Sequence, residues 1–359
     1  MNMDARSSCD IIIPVFNKPD MTIACLESII KNTLSPYKII VIDNGSDQAT
    51  KKALSDFKDF HENISLVRSE ENAGWIKAVN RGIGLSSAPY VCIMNNDTVV
   101  ETDDWLARLI GVADMSQDIG LVNPEFGDEK RPKGPVRPST WSSARLFVEL
   151  DFCRGYCILI KRAVIEKIGV LDEAYGMGYY DDDDYSVRAI RAGFRCVRAY
   201  GVTVKHLRDT TFSAVFQDEK RRSLHQKNKE LFYAKWGRRL KVVFILTKRA
   251  DIKKASEILL DLARKQHIVY LWNMAAPLDI AHINIRERLF WKIMPKTVFS
   301  AMLRLNAMKK SAKRYSAVFV DDDRICSRIS PTLKGGAYVV NMERDRDRVG
   351  YVVDSAARV

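Results

Sequence analysis

Residues 179–185 read Tyr-Tyr-Asp-Asp-Asp-Asp-Tyr, four carboxylates in a row between tyrosines. Adjacent acids repel, so a fold that holds them beside a pocket needs a counter-charge: a metal, a metal-bound phosphate or an arginine. The apolar and basic positions that follow (Tyr185, Val187, Arg188, Ile190, Arg191) suit a helix whose first turn carries the acids. The helix dipole favours negative charge there. A carboxylate fixed at a helix entrance, beside a glycine-bearing loop (Gly176, Gly178), is placed to act as a general base. A solvated acidic loop is the other reading of such a run.

The elements that must hold this tract alternate along the chain. Residues 10–17 (DIIIPVFN) predict a buried strand stopped by a turn, and residues 20–32 a helix. Residues 37–43 predict a second buried strand running into the polar turn Asn44-Gly45-Ser46-Asp47. Strands are also predicted at 65–68 and at 90–94, the latter ending in Asn95-Asn96-Asp97. Residues 155–160 and 163–168 read as strand then helix, 201–206 as a strand ending in His206, and 217–236 as a charged helix with Gly237 as its C-cap. Alternation of this kind means an α/β fold with a mostly parallel sheet, in which ligands sit beyond the carboxyl ends of the strands. Asn17, Asp43 to Asp47 and Asn95 to Asp97 all fall at such ends. Residues 125–145, rich in Pro, Gly and charge, predict a long surface loop.

A chain of 359 residues suggests two domains, expected at 1–240 and 241–359. Charge separates them: residues 1–240 carry 34 Lys and Arg against 33 Asp and Glu, residues 241–359 carry 23 against 12. Seven scattered cysteines point to a reducing compartment, with Cys153 and Cys157 as core residues. With no bilayer-length apolar run and no secretory pattern, a cytoplasmic location is expected. From residue 241 a fresh α/β pattern begins, with strands expected at 241–246, 267–272, 317–322 and 337–341 and a helix at 252–265. Residues 286–314 are almost uniformly basic among their charges, and Val298, Ala301, Met302, Leu305, Met308 and Ala312 keep helical spacing. Such a helix either lies on an anionic membrane surface or packs its stripe on its own domain. No module interleaving aromatics with Arg and Lys is visible, so nucleic acid is not an expected partner.

Six stretches in order resemble a family 2 glycosyltransferase of the GT-A fold, over roughly residues 9–237. They are IPVFN (13–17), VIDNGSDQAT (41–50), NAGWIKAVNRG (72–82), MNNDT (94–98), CRGYCILIKRAVIEKIGVLDEAYG (153–176) and YYDDDDYSVRAIRAGFR (179–195). The resemblance implies a nucleotide-diphospho-sugar transferase fold, followed here by a basic C-terminal α/β accessory domain that faintly resembles half of a GT-B enzyme. It implies inverting transfer of a sugar from a UDP- or dTDP-sugar to a hydroxyl of a glycan or lipid-linked glycan, a reaction of cell-envelope polysaccharide assembly. It places the catalytic base at Asp182 and the base-contacting acid at Asp43. Donor binding falls to Pro14, Val15, Asn17, Asn44, Asn72, Gly74, Lys77, Asn80, Asn95 and Asn96. A divalent metal, Mn or Mg, falls to Asp97 and His206, and the acceptor to Gly155, Asp181 and Trp141. Asp172 is expected to cap a helix start. Where stricter members carry acids, this chain has Asn95 and Asn96. That departure implies weaker metal binding or, as the alternative function, a catalytically degenerate nucleotide-sugar-binding scaffold of a glycan assembly complex.

Overall fold

The computed structural model describes residues 8–127, 146–207, 218–247, 250–289, 303, 314–329, 338–342 and 346–358. They fall into two compact units that divide between Phe232 and Tyr233.

The first unit opens as β1 (Cys9–Val15), α1 (Pro19–Asn32), β2 (Tyr37–Asn44), α2 (Gln48–Asp59), β3 (Ile64–Ser69), α3 (Trp75–Leu85) and β4 (Tyr90–Met94). It continues with β5 (Thr98–Val100), α4 (Trp105–Asp114), β6 (Ile119–Phe126), β7 (Phe147–Leu150), β8 (Cys157–Lys161), α5 (Arg162–Ile168), α6 (Asp181–Arg191) and β9 (Arg195–His206). The sheet runs β3-β2-β1-β4-β8-β6-β9-β5, with β7 paired on β9. The first four strands are mutually parallel, and β8 is antiparallel to both neighbours. The continuous apolar runs of β1 and β2 follow from burial on both faces. Ile11, Ile13 and Val15 join Cys25, Leu26, Ile29 and Leu109 in one core, while Ile12 faces α3 across Gly82. That close approach needs a residue without a Cβ at 82.

The first unit ends within α7 (Asp218–Trp236), which Gly237 terminates as expected: its φ is +86° and its N–H donates to Tyr233 O at 2.9 Å. The second unit holds β10 (Lys241–Leu246), α8 (Ile252–Arg264), β11 (Ile268–Asn273), β12 (Ile285–Leu289), β13 (Ala317–Val320), α9 (Asp323–Ile329), β14 (Tyr338–Asn341) and α10 (Arg346–Arg358). Its five strands are all parallel, in the order β12-β11-β10-β13-β14.

One expectation is corrected. The loop placed at 125–145 starts later, because Glu125 and Phe126 still pair with Thr203 and Val204 of β9. In the basic segment 286–314, the expected helical positions Val298, Ala301, Met302, Leu305, Met308 and Ala312 lie outside the described residues. Residues 286–289 belong to β12, paired parallel with β11, where pairing to a buried strand outweighs the charges of Arg286, Glu287 and Arg288. Of residues 290–313 only Leu303 is described. It is helical and fully buried with Val243, Ile245, Trp272 and Val318 of its own unit.

Candidate active site

The parallel half of the sheet ends at Val15, Asn44 and Met94, and the polar residues beyond those ends share one edge. Register puts Pro14 and Val15 beside Ile42 and Asp43. Asp43 is 1% exposed; one oxygen accepts from Ser46 N at 3.0 Å, and the other pairs with Arg68 from β3. Arg68 also donates to Ser46 O at 3.0 Å, so the acid and the turn form one unit. Asn17, at φ +57°, closes it: its N–H donates to Ser46 Oγ at 2.9 Å and its side chain accepts from Asp47 N at 2.8 Å. Gly45 has φ +77°, and a Cβ there would meet the Glu71 backbone at 2.6 Å, which explains the glycine of this turn.

Asn72 Oδ1 accepts from Asn44 Nδ2 and from Gly74 N, both at 2.9 Å, and so shapes the entry to α3. Lys77 is exposed on α3. Three residues expected at the donor have other work. Asn44 spans to Asn72, Ala73 N and Gly74 O. Asn80 spends both ends of its amide on the 171–173 segment, exchanging bonds with Leu171 O and N at 3.0 Å each. Asn96 is 4% exposed and turned inward to Thr22 Oγ1 of α1 at 2.9 Å. Each of these bonds holds backbone or helix in place.

The expected metal residues do meet. Antiparallel pairing sets Thr98 of β5 opposite His206, the last residue of β9, and Leu207 N donates to Asp97 O at 2.9 Å. His206 Nε2 then lies 3.0 Å from Asp97 Oδ1 and 3.4 Å from Asn95 Nδ2. Trp75, a donor only, gives its indole N–H to Asn95 Oδ1 at 3.2 Å, which turns the amide nitrogen toward the imidazole. One ring nitrogen thus faces both an N–H donor and a carboxylate oxygen. A divalent cation suits the imidazole nitrogen and the carboxylate, since both can ligate it and 3.0 Å is the spacing of adjacent ligands. Tyr156 stacks on His206 with centroids 5.6 Å apart, and Phe126 meets it edge-on at 5.9 Å. Among the described residues there is no group of three or more His, Cys, Asp or Glu set for a metal.

Asp182 sits in the first turn of α6. Its Oδ2 accepts from Gly155 N at 2.9 Å and its Oδ1 from Asp183 N at 3.0 Å. Ser186 Oγ, which donates to Asp182 O, accepts from Cys153 N at 3.0 Å and ties the 153–155 turn to the helix. Burial pushes the Asp182 carboxyl above the ordinary carboxylate range, while the Gly155 and Asp183 N–H groups and the Arg154 charge draw it back. A Cβ at Gly155 would lie 3.5 Å from both Asp182 Oδ2 and the Trp75 ring. Both the Asp182 carboxylate and the Trp75 ring thus border Gly155. Asp181 is 4% exposed; burial first, then the Asp182 charge, hold its carboxyl well above the ordinary range. Asp184 is fully buried against Arg188 at 2.8 Å and belongs to the helix framework. Asp172 accepts from Ala174 N at 3.0 Å as the cap of a short 3-10 turn. Trp141 lies outside the described residues. Arg68, Trp75, Arg154 and Tyr156 were missed from sequence; Trp75 and Tyr156 lay inside motifs as unremarked aromatics.

Residues 10–169 match the family model described as glycosyl transferase family 2. The chain is 26% identical over 204 residues to glycosyltransferase AglE of Haloferax volcanii, covering 55% of this chain and 66% of that protein. It is 26% identical over 207 residues to the amylovoran biosynthesis glycosyltransferase AmsB of Erwinia amylovora, covering 53% and 66%. The matches thus span just under two thirds of these relatives. Among solved structures, GalNAc-T7 with UDP, GalNAc and Mn2+ aligns with a TM-score of 0.49 at 16% identity, over 56% of this chain and 44% of that one. A mannosyltransferase from Pyrobaculum calidifontis, in complex with GDP-Man and Mn2+, aligns at 0.47 and 19% identity, over 57% and 58%. The matched stretch 10–169 lies in the first unit and carries most of its sheet, so this part of the chain is similar to glycosyl transferase family 2.

Proposed function

We propose that the protein is an inverting glycosyltransferase that moves a sugar from a UDP- or dTDP-sugar to a hydroxyl of a glycan or lipid-linked glycan. The observation that carries the reading is the carboxylate of Asp182, held by two backbone N–H groups at the entrance of α6, in the same unit as the Asn95, Asp97 and His206 cluster. Asp43, oriented by Ser46 N and Arg68, keeps an acceptor for the N–H of a uracil or thymine ring. Pro14, Val15 and Asn17 wall that position, and Asn72, Gly74 and Lys77 line the way to the sheet edge. Asp97 and His206 would hold a divalent cation, Mn or Mg, with Asn95 beside them; when bound it neutralises the leaving diphosphate. Asp182 takes the proton of the acceptor hydroxyl as the new bond forms, and its raised proton affinity suits that task. Gly155, whose N–H donates to that carboxylate, is assigned to the acceptor side.

Calorimetric titration with UDP and dTDP, each with and without Mn, tests the donor site. Tight, Mn-dependent binding of one nucleotide is expected. Absence of binding to both would favour the degenerate scaffold. Asp182→Asn should abolish transfer, by at least a hundredfold, while nucleotide affinity stays within twofold. Retained turnover would move the base elsewhere.

A further inference from the structure

The chain enters α6 through an unusual turn. Gly178, Tyr179 and Tyr180 have φ values of 130°, 70° and 65°. Glycine adopts positive φ freely, but two successive tyrosines there are strained and stay only where the surroundings over-determine them. Much of that determination comes from one side chain. Asn228 of α7 is 1% exposed, and its Nδ2 donates to Tyr175 O at 2.8 Å, to Gly178 O at 2.7 Å and to Tyr179 O at 3.3 Å. On the same face of α7, His225 meets the Tyr179 and Tyr180 rings with centroids 5.3 Å away in each case. Phe232, one turn beyond, packs on Tyr180 at 5.4 Å. The next carbonyl along, that of Tyr180, accepts from Asp184 N at 2.9 Å as the first turn of α6 closes. The clamp therefore sets where α6 starts and which way its first turn, with Asp182, points. An apolar residue would fill a buried helix face at less cost than an amide, so the amide is explained by the carbonyls it binds.

We propose that Asn228 is a positioning residue, whose side-chain amide holds the strained Tyr179–Tyr180 turn and thereby aims Asp182. The inference rests on the reading of Asp182 as the base. Its test uses the full chain carrying Asn228→Asp and, separately, Asn228→Ala. The aspartate keeps the shape of the side chain but turns an acceptor toward the carbonyls. Amide hydrogen exchange, UDP and dTDP affinity, and nucleoside diphosphate release from a panel of UDP- and dTDP-sugars are compared with wild type. Exchange at residues 176–184 should rise roughly 10- to 100-fold in both variants while β1, β2 and α3 keep their protection. Diphosphate release should fall at least tenfold at unchanged nucleotide affinity. Wild-type exchange in Asn228→Asp would reduce the residue to packing and overturn the proposal. Loosened exchange with undiminished release would overturn it too, as would nucleotide affinity falling in step with release. Asp182→Asn separates the two ideas: turnover retained there removes the base assignment, whereas the exchange result still decides whether Asn228 holds the turn.

Discussion

At the scale of the residue, the four acids that look equivalent in sequence have four different surroundings. Asp184 is paired with Arg188, Asp183 is half-buried, Asp182 accepts from Gly155 N, and Asp181 is enclosed. That division follows from helical geometry, since successive residues point about 100° apart and only one can address a given point. Asp181 has a thermodynamic consequence. Burial and the Asp182 charge raise its proton affinity, so the folded protein holds this proton more tightly than the unfolded chain does. The resulting penalty is full at pH above the raised folded value, shrinks as pH falls below it, and is gone only below the ordinary carboxylate range of the unfolded chain. Asp181→Asn should therefore raise the thermal midpoint at pH 8, with the gain shrinking steadily toward acid. A gain independent of pH, or a loss at pH 8, would show that Asp181 is not held ionised at a cost.

At the scale of the element, β1, β2 and β4 were legible because strands buried on both faces read as unbroken apolar runs. The strands missed lack that signature. β5 has three residues, β6 contains Pro124, and β12 reads Ile-Arg-Glu-Arg-Leu, whose charges resemble the basic segment that follows. β5 matters most, because its pairing with β9 is what brings Asp97 to His206 from 109 positions away. The site was legible as ordered motifs, but its internal wiring was not. Nothing in the pattern NAGWIKA says that Trp75 donates to Asn95, because such a contact depends on how α3 lies across the sheet. That placement is set by Gly82, over which Ile12 packs with no room for a Cβ. Ile12 is β-branched and cannot swing aside. Gly82→Ala should therefore lower stability by about 1–3 kcal/mol in urea unfolding. Nucleotide affinity should fall with it, because α3 begins at the Asn72–Gly74 turn. An unchanged midpoint would mean that α3 can lift without cost.

At the scale of the whole molecule, the question is what a second unit with its own parallel sheet and core adds to a domain that already holds the candidate site. Its charge offers one answer: residues 241–359 carry nearly all of the net +12. Among the described residues no helix is long and apolar enough to cross a membrane. The stripe expected at Val298, Ala301, Met302, Leu305, Met308 and Ala312 lies outside the described residues. Residues 286–289 are strand, and Leu303 is buried in its own unit. Electrostatic attraction to an anionic surface would draw on exposed side chains such as Lys253, Lys254 and Lys265. Such attraction is screened within about 10 Å at 0.1 M salt, unlike insertion of an apolar face. The full chain should therefore sediment with phosphatidylserine-containing vesicles at low salt, ignore phosphatidylcholine vesicles, and be released as salt rises toward 0.5 M. A chain of residues 1–240, checked for cooperative unfolding, should lose this binding while keeping most of its nucleotide affinity. Salt-resistant binding would restore an apolar contribution from the residues around Leu303. Equal recovery of the truncated protein on vesicles would transfer any docking role to the first unit, leaving the positive charge of the second to some other anionic partner.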